Sequence, residues 1–256
     1  MTRYLSLCFL VLAFHTTLFL ADTARACIPV GGEEPPCSAY WKANAVFVGV
    51  VSETTKVPPE QKEIFQKLLI RFTVERPYRG VDSAEVEVAT ISGTECDMKV
   101  QEGEKWLVYA SRDSASGRLW VSSRTKLHAS ADEDLSYISS LSQGLPEPSV
   151  MGGVFDYPSR PWEGIKIHIR SNGLKYEAST DKDGKFTFPA VKPGRYFIRA
   201  IFPAQSLPVI LGGRMPSRSR ETGAAPMVEY QIDMQPGRCE FIQFFGHRLE
   251  TRSRQH

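Results

Sequence analysis

Ile165-Lys-Ile-His-Ile-Arg170, Ser171-Asn172-Gly173 and Leu174-Lys-Tyr-Glu-Ala178 form the stretch from which the fold is read. Ile165, Ile167 and Ile169 alternate with Lys166, His168 and Arg170, the period-two pattern of a strand with one buried and one wetted face. Asn172-Gly173 between two such runs is a hairpin signal. Working outward, Asp183-Gly184 precedes Lys185-Phe-Thr-Phe188, and Lys192-Pro-Gly194 precedes Arg195-Tyr-Phe-Ile-Arg-Ala200. Val150 to Phe155 opens the series, and Met227 to Met234 and Cys239 to Phe245 close it around Gln235-Pro-Gly237. Short strands with turns every 8–12 residues predict a seven-stranded β-sandwich over 150–246.

Upstream, Gly144-Leu-Pro146-Glu-Pro148 is a Pro-rich joint, and 146–149 reads as a linker. Before it, five more strands are expected. Asn44 to Val51 is a β-branched and aromatic run. Ile64 to Glu75 alternates at Ile70, Phe72 and Val74. Glu85-Val-Glu-Val88, Lys105 to Ala110 and Arg118 to Ser122 follow. Ser130-Ala-Asp-Glu133 predicts a helix with Ser130 as N-cap in a capping box, and Leu135, Ile138 and Leu141 form its apolar stripe. The first module, 27–145, is thus expected to be a five-stranded OB-type barrel with a C-terminal helix. The fold class is all-β.

The chain has 256 residues, 42% hydrophobic and 23% charged, with a net charge of +2. That apolar share is enough for packed cores, and the near-neutral balance lacks the basic excess of a typical nucleic-acid binder. Residues 1–26 read as a secretory signal peptide: Arg3, an interrupted apolar stretch from Tyr4 to Ala21, then Ala24-Arg-Ala26 directly before Cys27. A lipoprotein reading of Cys27 lacks the Leu favoured three residues before the cysteine. The expected localisation is secreted, periplasmic or cell envelope, with cleavage near Ala26. Cleavage leaves Cys27, Cys37, Cys96 and Cys239, an even number in an exported chain, with three possible connectivities. No C-x-x-C spacing supports an intrinsic metal site, and no cofactor is implied.

Cys27, Cys37, Asn44-Ala-Val-Phe-Val-Gly49, Thr94-Glu-Cys96 and Gly103-x-x-x-Leu107-Val-Tyr-Ala110 resemble the netrin-like domain of tissue inhibitors of metalloproteinases, in its bacterial form. The resemblance implies a Cys27–Cys96 disulfide. It also implies inhibition through the mature N-terminus, with the amine and carbonyl of Cys27 chelating a partner's zinc. Ile28 would then point toward the specificity pocket, and Thr94 and Glu95 would flank it. A rigidly held chelator loses little ordering entropy on binding. The sequence departs from the family pattern at Pro29, where a second cysteine usually stands, and at Ser122-Ser123 before Arg124-Thr125. Cys27 as a plain staple of the barrel is the competing reading. With that pair taken, Cys37 and Cys239 remain, and their pairing would join the modules. Thr180-Asp-Lys-Asp-Gly-Lys-Phe186 and Val191-Lys-Pro-Gly-Arg-Tyr196 resemble carboxypeptidase regulatory-like and Cna B-type repeats, which are transthyretin-like in fold. That likeness implies a supporting or docking module.

No G-x-S-x-G, P-loop, H-E-x-x-H or dinucleotide fingerprint is present, so no enzyme activity is expected. Asp181-x-Asp183-Gly184 fails the calcium-loop register at Ser179 and Ala190 and reads as a turn. The expected function is a secreted binding protein, either a metallopeptidase inhibitor-like module or a structural, adhesive envelope protein. The expected partners are a zinc peptidase or another extracellular protein, or an anionic polysaccharide or lipid surface held by Arg214-x-x-x-Arg218-x-Arg220 and the 247–256 tail with Arg248, Arg252 and Arg254. OB barrels also hold nucleic acid, but export and disulfides argue against it.

Overall fold

The computed structural model describes residues 32–59, 65–93, 97–210, 218–220 and 225–249. The expected leader, Cys27, Ile28, Thr94, Glu95, Cys96, Arg214, Arg252 and Arg254 lie outside these residues.

The first module starts with a short helix α1 (Pro36–Lys42), followed by β1 (Ala45–Val57), β2 (Gln66–Arg79), β3 (Glu85–Ser92), β4 (Lys105–Arg112), β5 (Leu119–Val121) and β6 (Lys126–Leu127), and ends in α2 (Asp132–Ser140). The five longer strands close into the expected barrel, in the order β1-β2-β3-β5-β4 and back to β1. β1 can serve two partners because it is long and bent. Ala45–Val50 pairs with β4, the strand as a whole runs along β2, and three register shifts turn it between them. The last gap is closed by a parallel pairing of Ala89 with Trp120. β1 is buried on both faces at its start, which explains the unbroken apolar run Ala45-Val-Phe-Val48. Phe47, Ile70, Phe72, Val88 and Val108 fill the barrel. Val46, Val48, Leu107 and Tyr109 instead form an outer layer beneath the two helices.

Gly80 ends β2 in the left-handed region at φ 59°, and a Cβ there would overlap the carbonyl oxygen of Asn44. The predicted capping box is not formed. A 3-10 turn over His128–Ser130 moves the helix start to Asp132, with Ala131 at the N-cap and no side-chain cap bond. Glu133 turns instead to Arg124.

The second module contains all seven expected strands and three further short ones: β7 (Ser149–Asp156), β8 (Arg160–Pro161), β9 (Lys166–Ser171), β10 (Leu174–Ser179), β11 (Lys185–Phe188), β12 (Gly194–Ile201), β13 (Ser206–Val209), β14 (Arg218–Arg220), β15 (Met227–Met234) and β16 (Cys239–Arg248). One sheet runs β11-β7-β16-β13, with β8 beside β7, and the other runs β10-β9-β12-β15-β14. β16 lies parallel to β7, and Gly152 approaches Ile242 so closely that no Cβ fits between them. Ile167, Ile169, Ile198, Tyr196, Phe186 and Phe244 fill the space between the sheets. The β10–β11 turn forms as read: Asp181 Oδ1 accepts from the amides of Asp183 at 2.9 Å and Lys185 at 2.8 Å.

Candidate functional site

Cys37, on α1, is bonded to Cys239, the first residue of β16, across a sequence separation of 202 residues. The same helix supplies Trp41, whose indole donates to the carbonyl of Gly237 at 2.8 Å and to the hydroxyl of Tyr137 at 3.0 Å. The guanidinium of Arg79, from the barrel, stacks over its ring at 5.1 Å and that of Arg238, from the sandwich, at 5.5 Å. Pro36 at the first helical turn suits a helix start, since its missing N–H has no partner to lose there. Ala39, Tyr40 and Ala43 then face the barrel at helical spacing. Seven residues form a marginal helix alone; the disulfide and these contacts hold this one.

Just before it, the chain is strapped to the barrel by Arg124. Its side chain is 3% exposed and meets the fully buried carboxylate of Asp134, at 2.7 Å from Nε and 2.9 Å from Nη2. Nη2 also donates to Glu133 at 2.8 Å, and Nη1 to the Glu34 carbonyl at 2.7 Å. Lys126 pairs with Glu33 at 2.8 Å and Asp134 at 3.3 Å, and the Tyr109 hydroxyl donates to Asp134 at 2.9 Å. Burial alone would disfavour the Arg124 charge. The hydrogen bonds to Asp134 and Glu133 and the fields of Asp134 and Glu33 outweigh it and hold the guanidinium above its usual range. Burial first, and then Asp134, push the Tyr109 hydroxyl up. These residues fix the segment that leads back toward Cys27. On the other expected flank, the Gly93 amide donates to the Asp97 carboxylate at 2.7 Å, tying together the two residues that bracket 94–96.

The outer side of the β10-β9-β12-β15-β14 sheet carries a row of charged side chains. The isoleucines that point inward from β9 put Lys166, His168 and Arg170 on this face, and registry places Arg199 beside His168 and Phe197 beside Arg170. β10 adds Lys175 and Glu177, and β15 adds Glu229, Gln231 and Asp233. Glu229 is buried, with Arg170 Nη2 and Arg199 Nε each 3.6 Å from its carboxylate. Nε and Nη2 of Arg199 are buried without a hydrogen-bond acceptor among the described residues. His168 Nε2 lies 3.2 Å from Glu177. Burial lowers the His168 pKa; Glu177 opposes this, and Lys175, Arg170 and Lys166 reinforce it. Beyond this row, Arg170, Ser171, Asn172, Arg195 and Phe197 line an open cleft of about 490 Å³. Phe197 is 41% exposed on this face, between the two guanidinium-bearing residues of the cleft lining.

Of the arginines read as basic segments, Arg218 and Arg220 stand in β14, in register with Glu229 and Met227, at the edge of this same sheet. Arg248 is occupied structurally: its guanidinium lies 4.8 Å over Trp162 and its Nε 3.8 Å from Asp156. Sequence reading placed His168 and Arg170 outward but did not single out Arg195, Phe197, Arg199 or Glu229. The signal was present in Arg195-Tyr-Phe-Ile-Arg199, whose alternation puts Phe197 on the wet face between two arginines. Among the described residues, no group of three or more His, Cys, Asp or Glu side chains could hold a metal ion, and no helix is long and apolar enough to cross a membrane.

No protein-family model matches the chain, and no curated protein matches it. Among solved structures, a candidate carbohydrate-binding protein from Pseudomonas aeruginosa is similar over 40% of this chain and 89% of its own, at 12% identity and a TM-score of 0.25. The TIE protein of Bacillus anthracis is similar over 80% of this chain and 35% of its own, at 9% identity and a TM-score of 0.30.

Proposed function

We propose that the chain is an exported, non-catalytic binding protein that uses the outer face of the β10-β9-β12-β15-β14 sheet to hold an anionic extracellular polymer. The observation that carries this reading is the cluster of exposed cations on that face. Lys166, Arg170, Lys175 and Arg195 are exposed on it around the Phe197 ring, and β14 brings Arg218 and Arg220 to its edge. The overall charge is near neutral, so the basic character is local, as expected for a surface that attracts a polyanion at one place. A disulfide between modules fits an oxidising compartment. The test is binding of the cleaved chain to immobilised polygalacturonate as ionic strength rises and the Debye length falls from ~30 Å to ~3 Å. Binding that weakens steeply with salt supports the reading. No binding at the lowest salt removes it.

The strap at Arg124 favours a second reading. It anchors Glu33 and Glu34, six and seven residues after Cys27, as an inhibitory N-terminus would need. Here Cys27 chelates the zinc of a peptidase, with Ile28, Thr94 and Glu95 around it. One extra residue before Cys27 blocks the free amine; unchanged inhibition of a zinc peptidase would contradict this reading.

A further inference from the structure

We infer that the cleft between the β9–β10 turn and β12 is the seat of a single uronate ring within an acidic polysaccharide. The inference rests on the anionic-polymer reading above and names the ligand chemistry of that face. Arg170 and Arg195 bracket Phe197, and Asn172 and Ser171 close the end of the cleft. Its volume of about 490 Å³ lies within the ~300–1,000 Å³ of small-molecule clefts. Every hydrogen-bonding side chain that lines it, two guanidiniums, an amide and a hydroxyl, can donate, and none is a carboxylate. A guanidinium fork matches a carboxylate in both charge and shape. The donors on the turn suit ring hydroxyls.

Phe197 decides between classes of anion. An exposed ring spends apolar surface on water unless a ligand covers it, and an inorganic polyphosphate has nothing apolar to lay there. The C–H face of a pyranose does. An acidic peptide would gain most by adding a strand at a free sheet edge. This cleft lies on a sheet face, where β9 and β12 already pair with each other and with β10 and β15. Arg195 is exposed and makes no ion pair or hydrogen bond among the described residues, so its fork is available. Arg170 lies 3.6 Å from Glu229 through Nη2 and is itself half exposed. One ring per cleft gives weak affinity, and a polymer gains by presenting many rings to one face.

The experiment uses the cleaved full chain and four probes: a homo-oligouronate, its methyl ester, inorganic polyphosphate, and vesicles containing phosphatidylglycerol. Binding is measured by calorimetry for the chain, for Arg195→Gln and Phe197→Ala, and for Lys182→Gln as a charge-matched control on the β10–β11 turn. The expected result is oligouronate binding that falls about tenfold on esterification, since a charge-assisted pair is lost. Arg195→Gln and Phe197→Ala should each weaken it about fivefold, and Lys182→Gln should leave it unchanged; unfolding curves of the exposed-site variants should match the parent. If polyphosphate or vesicles bind as well as oligouronate and Phe197→Ala has no effect, the uronate seat is wrong while the anionic face stands. If no probe binds at low salt, both are wrong.

Discussion

Replacing Arg124 by Met removes a cation but keeps most of the apolar stem, so it tests the strap without opening a large cavity. Arg124 is 3% exposed, and the carboxylate of Asp134 that it clamps is 0% exposed. The variant loses two hydrogen bonds to Asp134, one to Glu133 and one to the Glu34 carbonyl. Removing one partner of a buried pair strands the other charge and costs about 3–5 kcal/mol. Lys126 at 3.3 Å and the Tyr109 hydroxyl at 2.9 Å still reach Asp134, so about 3 kcal/mol is expected. Arg124→Met combined with Asp134→Leu removes both charges and should cost about 1–2 kcal/mol, less than the single change, because no buried ion is left alone. Urea unfolding followed by fluorescence reads both variants. Trp106 and Trp120 report the first module, Trp162 the second and Trp41 the junction, so the two transitions can be told apart if they separate. A cost below about 1 kcal/mol for Arg124→Met, or a double variant weaker than the single, would refute the claim that Arg124 acts by compensating Asp134.

Three further outcomes are expected. Cys37→Ser with Cys239→Ser opens a bridge across 202 residues, and loop-closure entropy puts its contribution at about 5 kcal/mol; a urea midpoint unchanged from the parent would show that the Trp41 contacts hold the modules alone. Folding depresses the His168 pKa, so the unfolded chain binds the extra proton: His168 favours the fold fully above about pH 6.5 and loses this as pH falls through its folded pKa. The Trp162 transition should therefore weaken between pH 7 and 5 less in His168→Gln than in the parent, and parallel pH profiles would contradict this. Gly80→Ala, at φ 59° against the Asn44 carbonyl, should lower the first module's stability, where an unstrained glycine exchange would raise it by ~0.4–1 kcal/mol; thermal unfolding checks it, and a neutral result would mean β1 and β2 can separate there freely.

The strand-rich architecture was legible because each strand carries its own signal. Ile165, Ile167 and Ile169 report a one-sided strand, and the unbroken Ala45-Val-Phe-Val48 reports one buried on both faces. What local pattern could not show was chain closure: the barrel depends on register shifts in β1 and on one parallel pairing at Ala89. Helix α1 was missed because seven residues give little periodicity, and its stability comes from Cys239, Gly237 and Arg238, about 200 residues away. The capping box at Ser130 and Glu133 was a fair local reading that lost to a tertiary partner, since Arg124 offers Glu133 a charge-assisted bond. β13 and β14 are short edge strands whose partners, not their sequences, define them. The cleft brings Arg170 and Asn172 together with Arg195 and Phe197 only because β9 and β12, separated in sequence by β10 and β11, are neighbours in the sheet.

The central claim is that the outer face of the β10-β9-β12-β15-β14 sheet is the binding surface. Its most direct test is the affinity of the cleaved chain and of an Arg170→Gln, Arg195→Gln variant for immobilised polygalacturonate across a salt series. The variant should bind at least tenfold more weakly at low salt and with a shallower dependence on salt, since fewer cations then meet the polymer. Equal affinity and an equal salt slope for the two proteins would place the binding elsewhere and contradict it.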